Sequence, residues 1–380
     1  MSLEQTHWLV DPDVAYLNHG GFGALPVPVA EAAAALRLEI EANPTDLFMR
    51  QWQERVDGVR AAVAALVRSD EDDLVFVANA TTGTATVLTM FPLQPGDHIV
   101  TTDHRYPAVA SQTVAQAERR GVEITEVAIP LDVTTDQQVV DLVLAAVTPQ
   151  TRLVVVDHIS SLTGFVFPVA ALTRAVHDAG LAILVDAAHA PGQVDVDLRA
   201  IDADFWVGNL HKWVCSPRAA ATLRVAPQWQ DRIRPLVPSH DYANGFQPAF
   251  DWTGTIDAVP LLTIPAALTF WDALGWDGVR RQQHALATDG AATVAAALGT
   301  RVAIEDRFTA AMRLVELPVQ LDDAQRRDLI STMTRKHKVT AHATEHQGTS
   351  YVRMCGQLYN RPSDYERLAS ALAAELGTEG

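Results

Sequence analysis

The chain has 380 residues, of which 48% are hydrophobic, and a formal net charge of −17. This acidity, without any block of lysine and arginine, argues against a nucleic-acid partner. The first eleven residues lack the features of a signal peptide, no apolar run is long enough to span a bilayer, and the only cysteines, Cys215 and Cys355, have no metal-like spacing. We therefore expect a soluble cytoplasmic protein without a disulfide framework.

Short apolar runs alternate with helical patterns between residues 60 and 225. Nearly continuous apolar strands are typical of a parallel sheet that is covered on both faces. Between them, Val169, Leu172 and Val176 share one face of a helix predicted from Pro168 to Ala179. Repeated strand–helix units predict an open α/β sheet whose ligands bind beyond the carboxyl ends of the strands. The predicted strands are Leu74–Val77, His98–Thr101, Val122–Val127, Leu153–Val156, Ile183–Val185, Phe205–Val207 and Ala221–Val225.

The pattern changes after Phe250. Residues 256–300 predict long alanine-rich helices, and a helix from Pro362 to about Leu376 ends the chain. Strand-like runs occur between them, at Met312–Leu317 and Ser350–Arg353. We predict a smaller α+β domain here, so that the chain divides into an N-terminal arm (1–16), a large domain (17–255) and a small domain (256–380).

An acid and a lysine follow two successive strands of the predicted sheet. Asp186 ends the run Leu181–Val185, and Lys212 comes shortly after the run Asp204–Val207. A lysine can hold an aldehyde cofactor as a Schiff base, while a carboxylate keeps a pyridine nitrogen protonated so that the ring accepts electrons. A carboxylate at the end of an apolar strand is costly unless it is paired. The two residues therefore predict a pyridoxal phosphate enzyme, with His189 as a candidate partner of the cofactor's phenolic oxygen.

The segment Ala78–Thr84 follows a strand and opens a helix. Its small residues let backbone N–H groups approach a phosphate at the positive end of the helix, and Thr81 and Thr82 add hydroxyl donors. An ordinary helix cap would give a similar pattern. Because the segment has neither G-x-G-x-x-G nor a Walker pattern, it argues against dinucleotides and ATP.

Together these residues resemble the aminotransferase class V family of fold-type I pyridoxal phosphate enzymes, and within it the isopenicillin N epimerase group. The resemblance covers almost the whole chain, and its most specific part is the Asp-x-x-His motif combined with His-Lys. It implies the fold-type I architecture, with a mainly parallel seven-stranded sheet and a smaller C-terminal domain. The matching motifs are Tyr16–Gly23, Asn43–Arg50, Thr102–Ala108, His158–Gly164, Asp186–Gly192 and Gly208–Trp213.

The resemblance implies a role for each site residue. Lys212 would be the Schiff-base lysine and proton shuttle, Asp186 the partner of the pyridine nitrogen and His189 the partner of the phenolate. Tyr106 would lie against the ring face, with His104 as a less favoured alternative.

Further residues of the motifs would hold the phosphate and the substrate. Thr255 would reach the phosphate of the neighbouring subunit, which implies a homodimer with shared sites, and Arg353 would bind the substrate α-carboxylate. The other predicted phosphate contacts are Thr81, Thr82, Asn209 and His211. The other predicted substrate contacts are Asn18, His19, Ser161 and Arg50.

One departure from the family pattern and one spacing of histidines limit the chemistry. Cysteine desulfurases of the family carry a nucleophilic cysteine before the carboxylate arginine, but residues 331–351 contain none. The histidines of this stretch, His337, His342 and His346, fit no standard zinc spacing, so we predict no metal site.

The favoured function is epimerisation of an amino acid through a Cα carbanion. This reaction needs a proton donor on the face opposite Lys212, for which Tyr106 and His19 are the candidates. The alternatives are a C–S lyase, such as a hercynylcysteine sulfoxide lyase, and an aminotransferase, because all three share the first proton abstraction. A pyridoxal phosphate-binding regulatory protein without catalysis is the alternative from another class.

Overall fold

The computed structural model describes residues 7–377, so residues 1–6 of the predicted arm and 378–380 of the predicted small domain lie outside the described residues. Within this range the strands form sheets of seven, three and two strands. The strands are β1 (Ala15–Tyr16), β2 (Leu74–Val77), β3 (His98–Thr102), β4 (Glu123–Val127), β5 (Thr151–Asp157), β6 (Ala182–Asp186), β7 (Phe205–Asn209), β8 (Ala221–Val225), β9 (Met312–Glu316), β10 (Val339–Thr340), β11 (His342–His346) and β12 (Thr349–Cys355).

Helices lie between most of these strands. The helix predicted from residue 168 begins one residue later, and the C-terminal helix has the predicted bounds. The helices are α1 (His19–Phe22), α2 (Val27–Ala42), α3 (Pro44–Asp46), α4 (Trp52–Val67), α5 (Ala80–Met90), α6 (Pro107–Arg120), α7 (Asp136–Ala145), α8 (Val169–Asp178), α9 (Leu198–Ile201), α10 (Phe246–Asp251), α11 (Val259–Leu262), α12 (Ile264–Leu274), α13 (Trp276–Leu298), α14 (Asp323–His337) and α15 (Pro362–Leu376).

The seven-stranded sheet has the order β2-β8-β7-β6-β5-β3-β4. Strands β3 to β7 pair in parallel, whereas β8 is antiparallel to both β2 and β7. Both faces of the central strands are buried, since Ile183 and Val185 belong to one hydrophobic cluster and Ala182 and Leu184 to another. The prediction of a mainly parallel seven-stranded sheet is therefore confirmed.

The C-terminal part is built on the antiparallel sheet β11-β12-β9, which packs against α13 and α15. The start of the described chain joins this part, because β1 pairs in parallel with β10. The division into an arm, a large domain and a small domain stays a prediction.

No single helix within residues 7–377 has both the length and the apolarity to cross a membrane. The consecutive helices Val259–Leu274 and Trp276–Leu298 meet both criteria only when taken together, and they are bent by 81° relative to each other.

Helix α5 packs closely on β7, and this contact decides where the amino end of the helix lies. A Cβ atom at Gly83 would lie 2.5 Å from Cγ1 of Val207. We expect Gly83→Ala to reduce the free energy of unfolding by about 1–3 kcal/mol, because overpacking pushes α5 off the sheet. Gly58→Ala in α4 is the matched control, since a Cβ there meets nothing within 4 Å. Urea unfolding of both variants checks this, and an equal effect at both positions would contradict it.

Candidate active site

The carboxyl ends of β6 and β7 bring Asp186 and Lys212 to the same edge of the sheet. The two strands are parallel neighbours, with Asp186 paired to Val207, and Lys212 lies in the loop that follows β7. The Lys212 Nζ atom is 2.9 Å from Nε2 of His189. A third side chain, Trp213, directs its indole N–H at the other ring nitrogen of His189, at 3.5 Å. The lysine, the acid and the histidine thus lie close together.

The protonation of this cluster is shifted by its burial. Burial lowers the pKa of Lys212 to about 8, although the nearby Asp186 carboxylate acts in the opposite direction. Burial also lowers the pKa of His189 well below its usual value, with the Lys212 charge as the next cause. His189 is therefore a neutral imidazole with one donor and one acceptor. A lysine with such a pKa is partly an amine near neutral pH and can act as a nucleophile or base.

A second carboxyl group, Asp157, ends β5 directly beside Asp186. The two residues are partners in the parallel register of β5 and β6, and both are buried. Burial first, and then the Asp186 charge, raise the pKa of Asp157 well above its usual value. Burial also raises the pKa of Asp186, but the Ala188 amide at 3.0 Å and the Lys212 charge favour its ionised form. The negative charge of the pair therefore belongs on Asp186.

The amino end of α5 lies beside this cluster. Asn79 caps the helix, its Oδ1 accepting the Thr82 amide at 2.8 Å, and Oδ1 of Asn209 accepts the Ala80 amide at 2.8 Å. These bonds tie the helix to the end of β7 and leave Thr81 and Thr82 half-buried in its first turn. A positive helix end with hydroxyl side chains suits a phosphate group.

His211 and the N-terminal motif pack around the lysine loop. Nδ1 of His211 is 3.1 Å from the Ala220 carbonyl oxygen, and burial lowers the pKa of this imidazole to about 4. Gly23 has a φ of +71°, and a Cβ atom there would lie 2.1 Å from the His211 carbonyl oxygen. Only glycine permits this approach, which explains how the Tyr16–Gly23 motif comes to border the site.

Arg353, on β12, places a buried positive charge near Lys212 and His189. Its Nη2 donates to Oδ1 of Asn18 at 2.8 Å, and its Nη1 donates to the carbonyl oxygen of Ser161. Its Nε is buried and has no hydrogen-bond partner within residues 7–377. A planar guanidinium with an unused donor suits a carboxylate ligand. The structure thus brings the predicted substrate residues Asn18, Ser161 and Arg353 together.

The histidine of the same N-terminal motif has a different environment. His19 is fully buried, with Nδ1 3.0 Å from the Tyr359 hydroxyl and Nε2 3.0 Å from the Lys212 carbonyl oxygen. Burial lowers its pKa to about 3. Both ring nitrogens are thus engaged in hydrogen bonds, which disfavours His19 as a proton donor and lets its ring support the lysine loop.

Tyr106 and His104 were alternative candidates for the ring face. Tyr106 precedes α6 and is 40% exposed, and its hydroxyl makes no hydrogen bond with any residue in the range 7–377. His104 is buried, with Nδ1 2.9 Å from the Thr163 hydroxyl and Nε2 2.8 Å from the Ile129 carbonyl oxygen. The geometry favours Tyr106, whose role stays a prediction.

Two histidines and an aspartate lie close enough together to be compared with a metal site. Ligand atoms of Asp103, His104 and His346 lie within 4.8 Å of one another. However, Nε2 of both histidines faces the Ile129 carbonyl oxygen, at 2.8 Å and 3.4 Å, so these nitrogens carry protons that a metal would have to displace. His337 and His342, which the sequence analysis considered together with His346, lie elsewhere. His337 contacts Glu375, and His342 is the register partner of Arg353.

Two predicted residues lie away from the cluster. Arg50 is on the surface, paired with Asp46, and no contact joins it to the other site residues in the described part of the chain. Thr255 is exposed, as a residue that reaches a neighbouring subunit would be in a single chain. The roles of both stay predictions.

The cluster fits the cofactor that the sequence predicts. The first turn of α5 suits the phosphate, the Asp186 charge suits the pyridine nitrogen, and the Lys212 amine suits the aldehyde carbon. Sequence reasoning missed Asp157, although it follows a strand-like run just as Asp186 does. It also assigned no role to Trp213, which ends the motif Gly208–Trp213 and contacts His189.

Comparisons with known proteins identify the family and the fold. The chain is 28% identical to an L-cysteine desulfhydrase of Arabidopsis thaliana (94% of this chain, 87% of the relative) and 27% identical to the isopenicillin N epimerase of Streptomyces clavuligerus (97% and 96%). The solved complex of the cystine C-S lyase C-DES with its product cysteine persulfide has the same fold, with a TM-score of 0.82, 20% identity and coverage of 95% and 98%. Residues 15–360 match the family described as aminotransferase class V. This chain therefore belongs to the aminotransferase class V family of enzymes.

Proposed function

We propose that the chain is a pyridoxal phosphate-dependent C–S lyase that acts on an L-cysteine derivative. When bound, the cofactor supplies the electron sink that stabilises negative charge at the substrate Cα. Thr81, Thr82 and His211 hold its phosphate, together with the amino end of α5. Asp186 keeps the pyridine nitrogen protonated, and His189 orients the phenolic oxygen.

Arg353 and Lys212 act on the substrate. Arg353 binds the α-carboxylate with its free Nε, while its bonds to Asn18 and the Ser161 carbonyl hold the guanidinium in place. Lys212 removes the Cα proton as a general base, for which its lowered pKa, about 8, is suited.

The reaction balances without an oxidant. The Cα–H and Cβ–S bonds break, a Cα–Cβ double bond forms, and the sulfur leaves as a thiolate that takes up a proton. The released 2-aminoacrylate tautomerises and adds water to give pyruvate and ammonia. Lys212 can serve both transfers, since the proton that it takes from Cα can be passed to the leaving thiolate.

The observation that carries this proposal is that Lys212 is a buried amine with a lowered pKa beside Asp186, whereas Tyr106, the remaining candidate for a second proton-transfer group, is 40% exposed. Lys212 is an amine with a lowered pKa, whereas the ring nitrogens of His19 and His104 are all engaged in hydrogen bonds. β-Elimination needs only one such group, whereas epimerisation needs a second on the opposite face. Desulfhydrases and a C–S lyase among the similar proteins support the same choice.

Epimerisation, which the sequence motifs favoured, is the second candidate. It rests on Tyr106, whose half-exposed phenol has no hydrogen-bond partner within residues 7–377 and could donate a proton from the other face. The similarity to isopenicillin N epimerase over nearly the full length of both chains also supports it.

Proton NMR in deuterated water, combined with chiral chromatography of the recovered amino acid, separates the candidates. With an S-alkyl-L-cysteine, the holoenzyme is expected to release thiol and pyruvate and to leave no D-enantiomer. Recovery of a deuterated D-amino acid without pyruvate would replace the lyase by an epimerase, and a keto acid with pyridoxamine phosphate would indicate an aminotransferase. Tyr106→Phe sharpens the result, because it should spare elimination but abolish epimerisation.

We also propose that the enzyme is a cytoplasmic homodimer in which Thr255 reaches the phosphate of the partner's site. The exposed Thr255 and its neighbour Ile256, 45% exposed, support an interface at this segment. The two cysteines, both free and buried, suit a reducing compartment. Sedimentation analysis at several protein concentrations tests the dimer.

A further inference from the structure

A groove of about 520 Å³ lies between α14 and the β11–β12 hairpin, and we call it the α14 groove. This volume is within the range of roughly 300–1,000 Å³ that is usual for small-molecule pockets. It is lined by residues of the hairpin and of α14, by Pro107 at the start of α6, and by Leu162 in the loop that follows β5. The lining residues used below are Pro107, Leu162, Arg326, Arg327, Ile330 and His342.

The α14 groove opens beside the proposed active site. His342 is the direct partner of Arg353 in the antiparallel β11–β12 pair, so their side chains lie next to each other on one face of the sheet. Leu162 follows Ser161, whose carbonyl oxygen binds Arg353. Pro107 follows Tyr106. Three walls of the groove are thus continuous with residues that surround the substrate Cα.

Among the charged residues used here, Arg327 is free to bind a ligand. Arg326 is bound to Asp323 and to the Leu321 carbonyl oxygen, and Glu345 accepts the Gly348 amide of its own turn. Arg327 makes no hydrogen bond or ion pair with any residue in the described range 7–377.

The walls between this cation and Arg353 are largely uncharged. Leu162, Ile330 and Pro107 offer apolar surface. Burial, and next the Arg353 charge, lower the pKa of His342 to about 4, so this imidazole is neutral near pH 7.

We propose that the α14 groove is the side-chain subsite, and that it takes a long apolar chain ending in an acid group, which pairs with Arg327. This inference rests on the proposed function, because Arg353 and Lys212 must fix the α-carboxylate and Cα at the mouth of the groove. It names the substrate class as S-substituted cysteines with a distal carboxylate. Free cysteine, which lacks such a chain, leaves the groove empty and is the poorer substrate.

A binding experiment tests the subsite without turnover. Two analogues that lack the amino group, 5-[(2-carboxyethyl)sulfanyl]pentanoic acid and 3-(pentylsulfanyl)propanoic acid, differ only in the distal acid. Titration calorimetry of the holoenzyme is expected to show about tenfold tighter binding of the diacid, the size of a charge-assisted hydrogen bond. Arg327→Gln should remove this preference, whereas Arg335→Gln, on the same helix but outside the groove, should keep it. Equal affinity of the wild type for both analogues would overturn the subsite.

Turnover then separates this inference from the proposed function. S-(4-carboxybutyl)-L-cysteine should release pyruvate with about a tenfold higher kcat/KM than S-pentyl-L-cysteine, and Arg327→Gln should abolish the difference. If the diacid binds more tightly but no pyruvate or thiol appears, the subsite stands and the lyase function is wrong. If pyruvate appears equally from both substrates, the lyase function stands and the subsite is wrong.

Discussion

Lys212→Ala is expected to lower kcat/KM by at least about a thousandfold, because the variant lacks the group that takes the Cα proton. It should also remove the visible absorbance band of the lysine–cofactor Schiff base. In the structure, Lys212 is the amine that contacts His189 and lies near the Asp186 charge. Steady-state kinetics and an absorbance spectrum of the purified protein check both results.

Because the chain has few lysines, the lysine that carries the cofactor can be identified directly. The chain has only three lysines, Lys212, Lys336 and Lys338. Borohydride reduction of the holoenzyme followed by peptide mapping should place the cofactor on Lys212 alone. Lys336→Ala is the matched control, since its side chain is on the surface and pairs with Glu375. A label on Lys336 or Lys338, or a Schiff-base band that survives in Lys212→Ala, would contradict the assignment.

Asp186→Asn should reduce kcat/KM by at least a hundredfold, whereas Asp157→Asn should keep it within about tenfold of wild type. Loss of a buried charge partner costs about 3–5 kcal/mol, and the negative charge of the pair belongs on Asp186. Burial and the Asp186 charge raise the pKa of Asp157 well above its usual value and thus favour its neutral form, for which asparagine is a close replacement. Kinetics of the two holoenzymes at saturating cofactor check this, and equal losses would show that the charge is shared.

The stability of the cofactor-free protein provides the control for this comparison. Because burial raises the pKa of Asp186, the carboxyl stabilises the folded state fully below its unfolded pKa of about 3.9. That contribution is lost as the pH rises through the higher folded value. Asparagine does not ionise, so Asp186→Asn without cofactor should resist urea at neutral pH at least as well as wild type. A less stable variant would assign the lost activity to misfolding.

The sequence predicted the central features of the fold because burial on two faces leaves a strong signal. The strands β5 to β7 appear as continuous apolar runs, and the C-terminal helix Pro362–Leu376 was predicted with its observed bounds. Asp186 and Lys212 could be paired in advance, since parallel strands place their carboxyl ends on one edge. Asp157 gives the same signal at the end of β5, and it was overlooked because no motif drew attention to it.

The position of His19 shows what sequence reasoning could not reach. Its motif lies near the start of the chain, yet its ring is held by Tyr359 and by the carbonyl oxygen of Lys212, which are distant in sequence. No local pattern reports such partners, so the sequence left His19 open as a proton donor. The α14 groove is likewise formed by four separate segments and has no motif of its own.

The sequence by itself determined the kind of chemistry, because a lysine and an acid at the ends of neighbouring parallel strands are placed together by the sheet. Only the tertiary structure decided which other groups can act on the substrate. Burial and the Asp186 charge favour the neutral form of Asp157, and hydrogen bonds join His19 to Tyr359 and to the Lys212 carbonyl oxygen. The pairing of β11 with β12 sets His342 beside Arg353. These effects depend on neighbours far apart in the chain, since burial and charge act through space.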